Sequence, residues 1–213
     1  MNFLYHFLIV SITTYLISFN LGGGMQELID RVKAILISPV DTWPIIKSEA
    51  KTEKEIYTDY VMILAAVPVI AQFIGHIFFG WGMGFFRGIS LMIVSYGLSI
   101  VGVFITVKIV DALAPTFEAK KNSLNALKLV AYSWTAMWVV GVVHIIPGLS
   151  ILAFLGWYSI YLLYLGLPHL MDCPAEKTLV YTIAILVVSI VVGIIIGAVT
   201  VAIVGVSMVG SYY

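Results

Sequence analysis

Apolar and polar positions divide this chain into one short two-faced helix followed by five long apolar runs. From residue 25 to 37, Leu28, Ile29, Val32, Ile35 and Leu36 fall on one stripe at helical spacing, with Glu27, Asp30, Arg31 and Lys33 opposite. Glu27 with Arg31 and Asp30 with Lys33 stand at the separations of supporting ion pairs on one helix. The helix is expected to stop at Ser38, because the ring of Pro39 disfavours helical backbone in the residue before it. Trp43-Pro44 and then Ile45-Ile46 suit an anchor at headgroup depth. Thr52 and Glu55 have capping-box spacing, so the next helix is expected to begin there.

The apolar runs predict spans over about 60–80, 89–107, 127–146, 150–168 and 179–209. Pro68 falls inside the first, where Gln72 and His76 stand four apart on one face. A glycine- and aromatic-rich turn over 80–88 leads to the second, after which Lys108 is placed to reach the headgroups with Asp111 as its partner. Asn122 or Ser123 can cap the third, which carries Tyr132, Ser133 and Thr135; Ser150 can cap the fourth, with Tyr158, Tyr161 and Tyr164. As a helix the last run would be about 46 Å long, against a hydrocarbon core of roughly 30 Å, so it must tilt or emerge. Gly193 and Gly197, with Ala198 and Ala202, repeat the small-xxx-small spacing that admits a neighbouring helix, in the same chain or in a second copy.

Residues 1–24 read in two ways. They hold an apolar run long enough to be a further span, without the basic start or cleavage site of a secretory signal. The string Leu21-Gly22-Gly23-Gly24-Met25 is also what a purine-rich ribosome-binding site encodes when translated in frame. The expectation adopted is that Met25 is the start and 1–24 a translated leader, with the extra span as the alternative.

Composition turns the pattern into a class. Hydrophobic residues are 62% and charged residues 10% of the chain, with a mean hydropathy of +1.08. Soluble domains have about 25% charged residues, so lipid must solvate much of this surface. The expected fold is an all-α integral membrane protein: a five-helix transmembrane bundle (60–209) with an amphipathic cytoplasmic N-terminal helix in segment 25–59 and a short tail at 210–213. Of the eleven lysines and arginines, every one but Arg87 falls on the side of the N-terminal segment. The positive-inside rule places that side in the cytoplasm and the carboxy terminus outside. A zero formal net charge gives no reason to expect a nucleic-acid partner.

Reactive constellations are scarce. The sequence has no HExxH, GxSxG or phosphate-binding loop, its four histidines are dispersed, and no acidic residue falls within the predicted spans. No catalytic residue, metal ligand or cofactor is expected. Gln72, His76, Tyr132, Ser133, Thr135 and Tyr161 are the candidates for a polar bundle interior: glue between helices, or the lining of a path for a small solute. The three tyrosines of the fourth span drift around the helix and cannot form one straight lining. Cys173 cannot form an internal disulfide. It is a packing residue or, at the cytoplasmic end of its span, an acylation site.

The stretches RVKAILISPVDTWPIIKSE, DYVMILAAVPVIAQFIG, LVAYSWTAMW and IIPGLSILAFLGWYSIYLLYLGLPHLM resemble the Yip-one domain family of Ypt/Rab-interacting membrane proteins, in its prokaryotic branch. The resemblance covers about 26–205. It implies five spans, a cytosolic N-terminal segment, an outward carboxy terminus and, for prokaryotic members, an inner-membrane location. The acidic motif of eukaryotic members is missing, Ala136 stands where bacterial relatives tend to have proline, and GTPase binding is not carried over. The expectation is a non-enzymatic membrane protein with a scaffold or membrane-organising role. It would act through the bilayer, a protein partner at 26–59 or a second copy of itself; the alternative is a small-solute transporter or channel.

Overall fold

The computed structural model describes residues 24–79 and 85–209, and every regular element among them is helical. Helix α1 covers 24–37 and α2 Pro39–Ser48. A short α3, Glu53–Ile56, runs through a π turn, Tyr57–Val61, into α4, Met62–Phe79. Helix α5, Phe85–Leu113, is followed by α6, Ser123–Ser133, and α7, Thr135–Val140. Two 3-10 segments, Gly141–Ile145 and Pro147–Trp157, lead to α8, Tyr158–Met171, and α9, Ala175–Val209. Among the described residues five stretches are long and apolar enough to cross a membrane: Glu53–Phe79, Gly88–Phe117, Ser123–Ile145, Ile151–Met171 and Ala175–Ile203. The all-α fold with five spans after residue 52 expected from the sequence is the one observed among them. The leader reading of 1–24, apart from Gly24, the turn at 80–84 and the tail at 210–213 lie outside the described residues.

Local start signals act as their chemistry dictates. Thr52 and Glu55 form the reciprocal capping box, and Asn122 accepts from the Asn125 N–H at 3.0 Å. The third and fourth spans are less regular than a periodicity argument expects. The third breaks at Trp134 and tightens into 3-10 geometry at Gly141. Close approach goes with that tightening. A Cβ on Gly75 would lie 2.6 Å from the His144 carbonyl oxygen, so α4 and the end of the third span meet backbone to backbone.

The N-terminal segment departs most from expectation. Ser38 does end α1, but Pro39 opens a second helix at once, and α1 and α2 form a hairpin closed by Thr42 Oγ1 donating to the Ala34 and Ser38 carbonyls. Helix α2 runs beside α8. Leu36, before the hairpin's tip, accepts from the Tyr158 hydroxyl at 3.1 Å. Trp43 packs on Gly166, and Lys47 meets Asp172 at 2.5 Å. Since α8 has 14 residues, the tip reaches about 20 Å along it. Trp43 and Ile46 are therefore not headgroup anchors; both are fully buried, while Pro44 and Ile45 face outward. The charges are re-partnered too. Arg31 pairs with Glu49 and Lys51 with Glu27 at 2.6 Å, in place of the Glu27–Arg31 and Asp30–Lys33 pairs expected within the helix. A pair between α1 and the segment after α2 closes the hairpin; a pair within one helix would not.

The second span runs longer than its apolar run. Asp111 lies inside α5 and is buried, so the expectation of acid-free spans is corrected, as is its pairing with Lys108. Lys108 instead donates to Ser123 Oγ at 3.3 Å and sits over the Phe104 ring. Helix α9 packs on α5 through Val192 and Ile196: a Cβ on Gly102 would stand 2.5 Å from Ile196 Cδ1.

Candidate functional site

A well-formed hollow is built where α1 leans against the first span. It is a cavity of about 450 Å³ lined by Gly24, Met25, Glu27, Leu28 and Arg31 of α1, Lys51, Glu55 and Ile56, then Asp59, Tyr60 and Ile63, with Tyr132 at its base. Each wall has a local cause. The α1 stripe turns Leu28 inward and carries Glu27 and Arg31 along its edge. The capping box at Thr52 fixes where the first span begins, and so where Glu55 and Asp59 project.

Electrostatically the site has two signs. Arg31 is held by Glu49, lies over the Tyr132 ring at 5.9 Å from its centroid, and keeps a buried Nε with no acceptor among the described residues. The Lys51 ammonium bonded to Glu27 holds that carboxyl below the usual carboxylate range, with Arg31 adding to the effect. Beneath the cavity, Tyr60 and Tyr132 rings tilt against each other at 4.6 Å, and the Tyr60 hydroxyl is 2.6 Å from Thr135 Oγ1. Beside them Lys128, a buried cation, donates to the Ile46 and Glu49 carbonyls at 2.8 and 2.7 Å. Its ammonium supplies donors to the unsatisfied carbonyls at the end of α2, where the helix dipole is negative.

The residues nominated for a polar interior do not converge. Tyr132 and Thr135 belong to the cluster just described. Ser133 is fully buried, with no hydrogen-bond partner among the described residues. Gln72 and His76 lie at a separate small hollow between α4 and α5, the size of a single water, with His76 Nδ1 2.6 Å from the Gln72 carbonyl oxygen. Tyr161 is 47% exposed on the outside of α8, its ring 5.5 Å from that of Tyr158. Gly193, Gly197, Ala198 and Ala202 face outward, and a Cβ on either glycine would meet nothing within 4 Å. Among the described residues they receive no helix; the contact with α5 is made one residue earlier, by Val192 and Ile196.

Several key residues escaped the sequence reading. Lys128 enters the sequence reading only as one of the eleven basic residues, although a lysine one turn inside a span before an apolar run signals a buried partner. Gly166 is contacted at close range by Trp43 and Leu129, and only the three-dimensional arrangement reveals why it must be small. Asn125 donates to the Leu170 carbonyl at 2.9 Å, tying α6 to α8. The Cys173 thiol is buried and its pKa pushed up by that burial, against the acylation reading. Among the described residues no three His, Cys, Asp or Glu side chains are grouped to hold a metal ion.

Comparison with known proteins adds a family. A match to the Yip1 domain covers residues 33–209. The chain is similar to the inner membrane protein YohC of Escherichia coli K12, at 28% identity over 173 residues, spanning 76% of this chain and 89% of that protein. The similarity to YohC of Escherichia coli O6:H1 strain CFT073 is the same in identity and extent. No solved structure matches.

Proposed function

The chain belongs to the Yip1 domain family, and we propose that it is a non-enzymatic membrane-organising protein whose working surface is the cap formed by residues 24–59. The observation that carries this reading is the docking of that cap. Trp43 and Ile46 are buried against α8, and Ile35 with them in the core. A segment fixed in this way presents a preformed outer face, on which Ile29, Ile37, Val40 and Ile45 are exposed.

Orientation follows from charge. Three ion pairs, Lys47–Asp172, Lys120–Asp172 and Lys177–Glu118, join residues 27–51, 118–120 and 172–177 to one another, so the connections rich in lysine gather at one end of the bundle. The positive-inside rule assigns that end to the cytoplasm and, after five crossings, the carboxy terminus to the outside. An inner-membrane location is supported by the similarity to YohC.

Reconstitution tests the reading. Vesicles holding the full chain are expected to differ in size or tethering from empty vesicles, by light scattering and electron cryomicroscopy. Trp43→Ala, which loosens the cap but leaves the spans, is expected to reduce the effect. Vesicles that are unchanged by the protein overturn the proposal. So does solute flux abolished by Gln72→Leu with Tyr161→Phe, which would establish a transporter instead.

A further inference from the structure

We propose that the cavity between α1 and the start of the first span binds the headgroup of a zwitterionic phospholipid carrying a primary ammonium. Three features of the lining define that ligand. Arg31 and Lys51 line the cavity and supply the cationic side chains that a phosphate oxygen would accept from. Glu55 and Asp59, one turn apart on the facing helix, supply carboxylates to which an ammonium can donate. Leu28, Ile56 and Ile63 make an apolar wall, and Ile63 is 39% exposed beside Met62 at 41%, so the cavity leads onto the outer surface of the first span. An acyl chain leaving by Ile63 would pass directly into the bilayer.

Charge decides between headgroups. Two cationic side chains in the lining face three carboxylates, Glu27, Glu55 and Asp59. An anionic headgroup would add negative charge to a site already negative by one. A phosphate with its own ammonium adds none and meets both signs. A quaternary ammonium has no N–H to donate to Asp59 or Glu55, so the primary amine is the better fit. The inference stands whether or not the protein organises membranes.

The test uses the full chain in detergent, offered phosphatidylethanolamine, phosphatidylcholine and phosphatidylglycerol with identical acyl chains, and native mass spectrometry of the retained lipid. Phosphatidylethanolamine is expected to be retained about tenfold over each of the others, equivalent to about 1.4 kcal/mol. Asp59→Asn with Glu55→Gln is expected to erase the preference over phosphatidylcholine; Gln at 55 keeps the capping box, so the helix start survives. Ile63→Trp is expected to lower retention of phosphatidylethanolamine by narrowing the apolar exit, and an unchanged melting temperature shows that both variants fold. Equal retention of all three lipids, a preference for phosphatidylglycerol, or a preference unmoved by the double substitution overturns the proposal. In a further arm, free phosphoethanolamine that displaces the lipid at equal concentration assigns the site to a water-soluble ligand and overturns the lipid assignment.

Discussion

Trp43 and Gly166 interlock. A Cβ placed on Gly166 would stand 2.8 Å from the Trp43 Cζ2 and 2.6 Å from Leu129 Cδ1, closer than packed carbons tolerate. Gly166→Ala is therefore expected to destabilise the protein by about 1–3 kcal/mol, because the rigid indole cannot swing away as a flexible side chain could. Thermal unfolding in detergent should show the loss. Combining it with Trp43→Phe should recover part of it, since the two residues share one space and their effects are not independent.

The buried ammonium of Lys128 makes a second prediction. Lys128→Met keeps most of the volume but leaves the carbonyls of Ile46 and Glu49 without their donor. An unpaired buried acceptor costs about 1–3 kcal/mol, and the loss should be local to the end of α2. Hydrogen exchange over 39–48 is expected to quicken in this variant while exchange in α5 and α9 stays unchanged. Unchanged protection over 39–48 in Lys128→Met would show that the ammonium does not support the hairpin.

The sequence revealed the spans because twenty apolar residues in a row have few other uses, and Thr52 and Asn122 capped helices because short-range chemistry suffices there. What it hid was long-range. Trp43-Pro44-Ile45-Ile46 has the composition of a headgroup anchor, and only the meeting with Gly166, more than a hundred residues on, turns Trp43 inward. Arg31 had a good partner nearby in Glu27, yet the hairpin brings Glu49 to it instead. The cavity shares this cause. Its walls come from α1, the first span and Tyr132 of the third, so no local motif marks it. Gly193 and Gly197 are a local motif that meets no neighbour among the described residues.

Tyr60 and Thr135 join the first and third spans through a buried hydroxyl pair at 2.6 Å. A double-mutant cycle of Tyr60→Phe and Thr135→Val is expected to give a coupling of about 0.6 kcal/mol, and no more than about 1.7, as for hydrogen bonds between helices in membranes. Thr135 also reaches back across the break to the Ala131 carbonyl of α6, which limits the loss in Thr135→Val alone. Zero coupling in the cycle would remove this pair from the forces joining the two spans.

Acid should loosen the lysine-rich end before it affects the spans. Hydrogen bonds and charge from Lys47 and Lys120 hold the Asp172 carboxyl below its ordinary value of 3.8. Its contribution is therefore present above that value and is lost as pH falls through the lower folded-state value. The group is exposed, so the effect is small and weakens with salt. Asp172→Asn should lower the melting temperature slightly at pH 7, and its difference from the wild type should shrink as the pH falls through the lowered folded-state value.

Cys173 gives the last prediction, and it bears on how firmly α8, the 172–174 loop and the segment after α5 are held together. The thiol is buried, within weak hydrogen-bonding reach of the Phe117 carbonyl at 3.9 Å and the Pro174 carbonyl at 3.6 Å. Burial raises its pKa, so the reactive thiolate is scarce at pH 7. Phe117 itself stacks on Tyr181, whose hydroxyl donates to the Val110 carbonyl, so the wall around the thiol is tied to both α5 and α9. A small maleimide should leave the folded protein almost unlabelled and react fully after denaturation in dodecyl sulfate, and the intact mass of the membrane-extracted protein should carry no acyl chain. Rapid labelling at neutral pH would mean that this loop opens on its own. Substituting Tyr181→Phe, which frees the Val110 carbonyl, should speed labelling if the wall is what shields the sulfur.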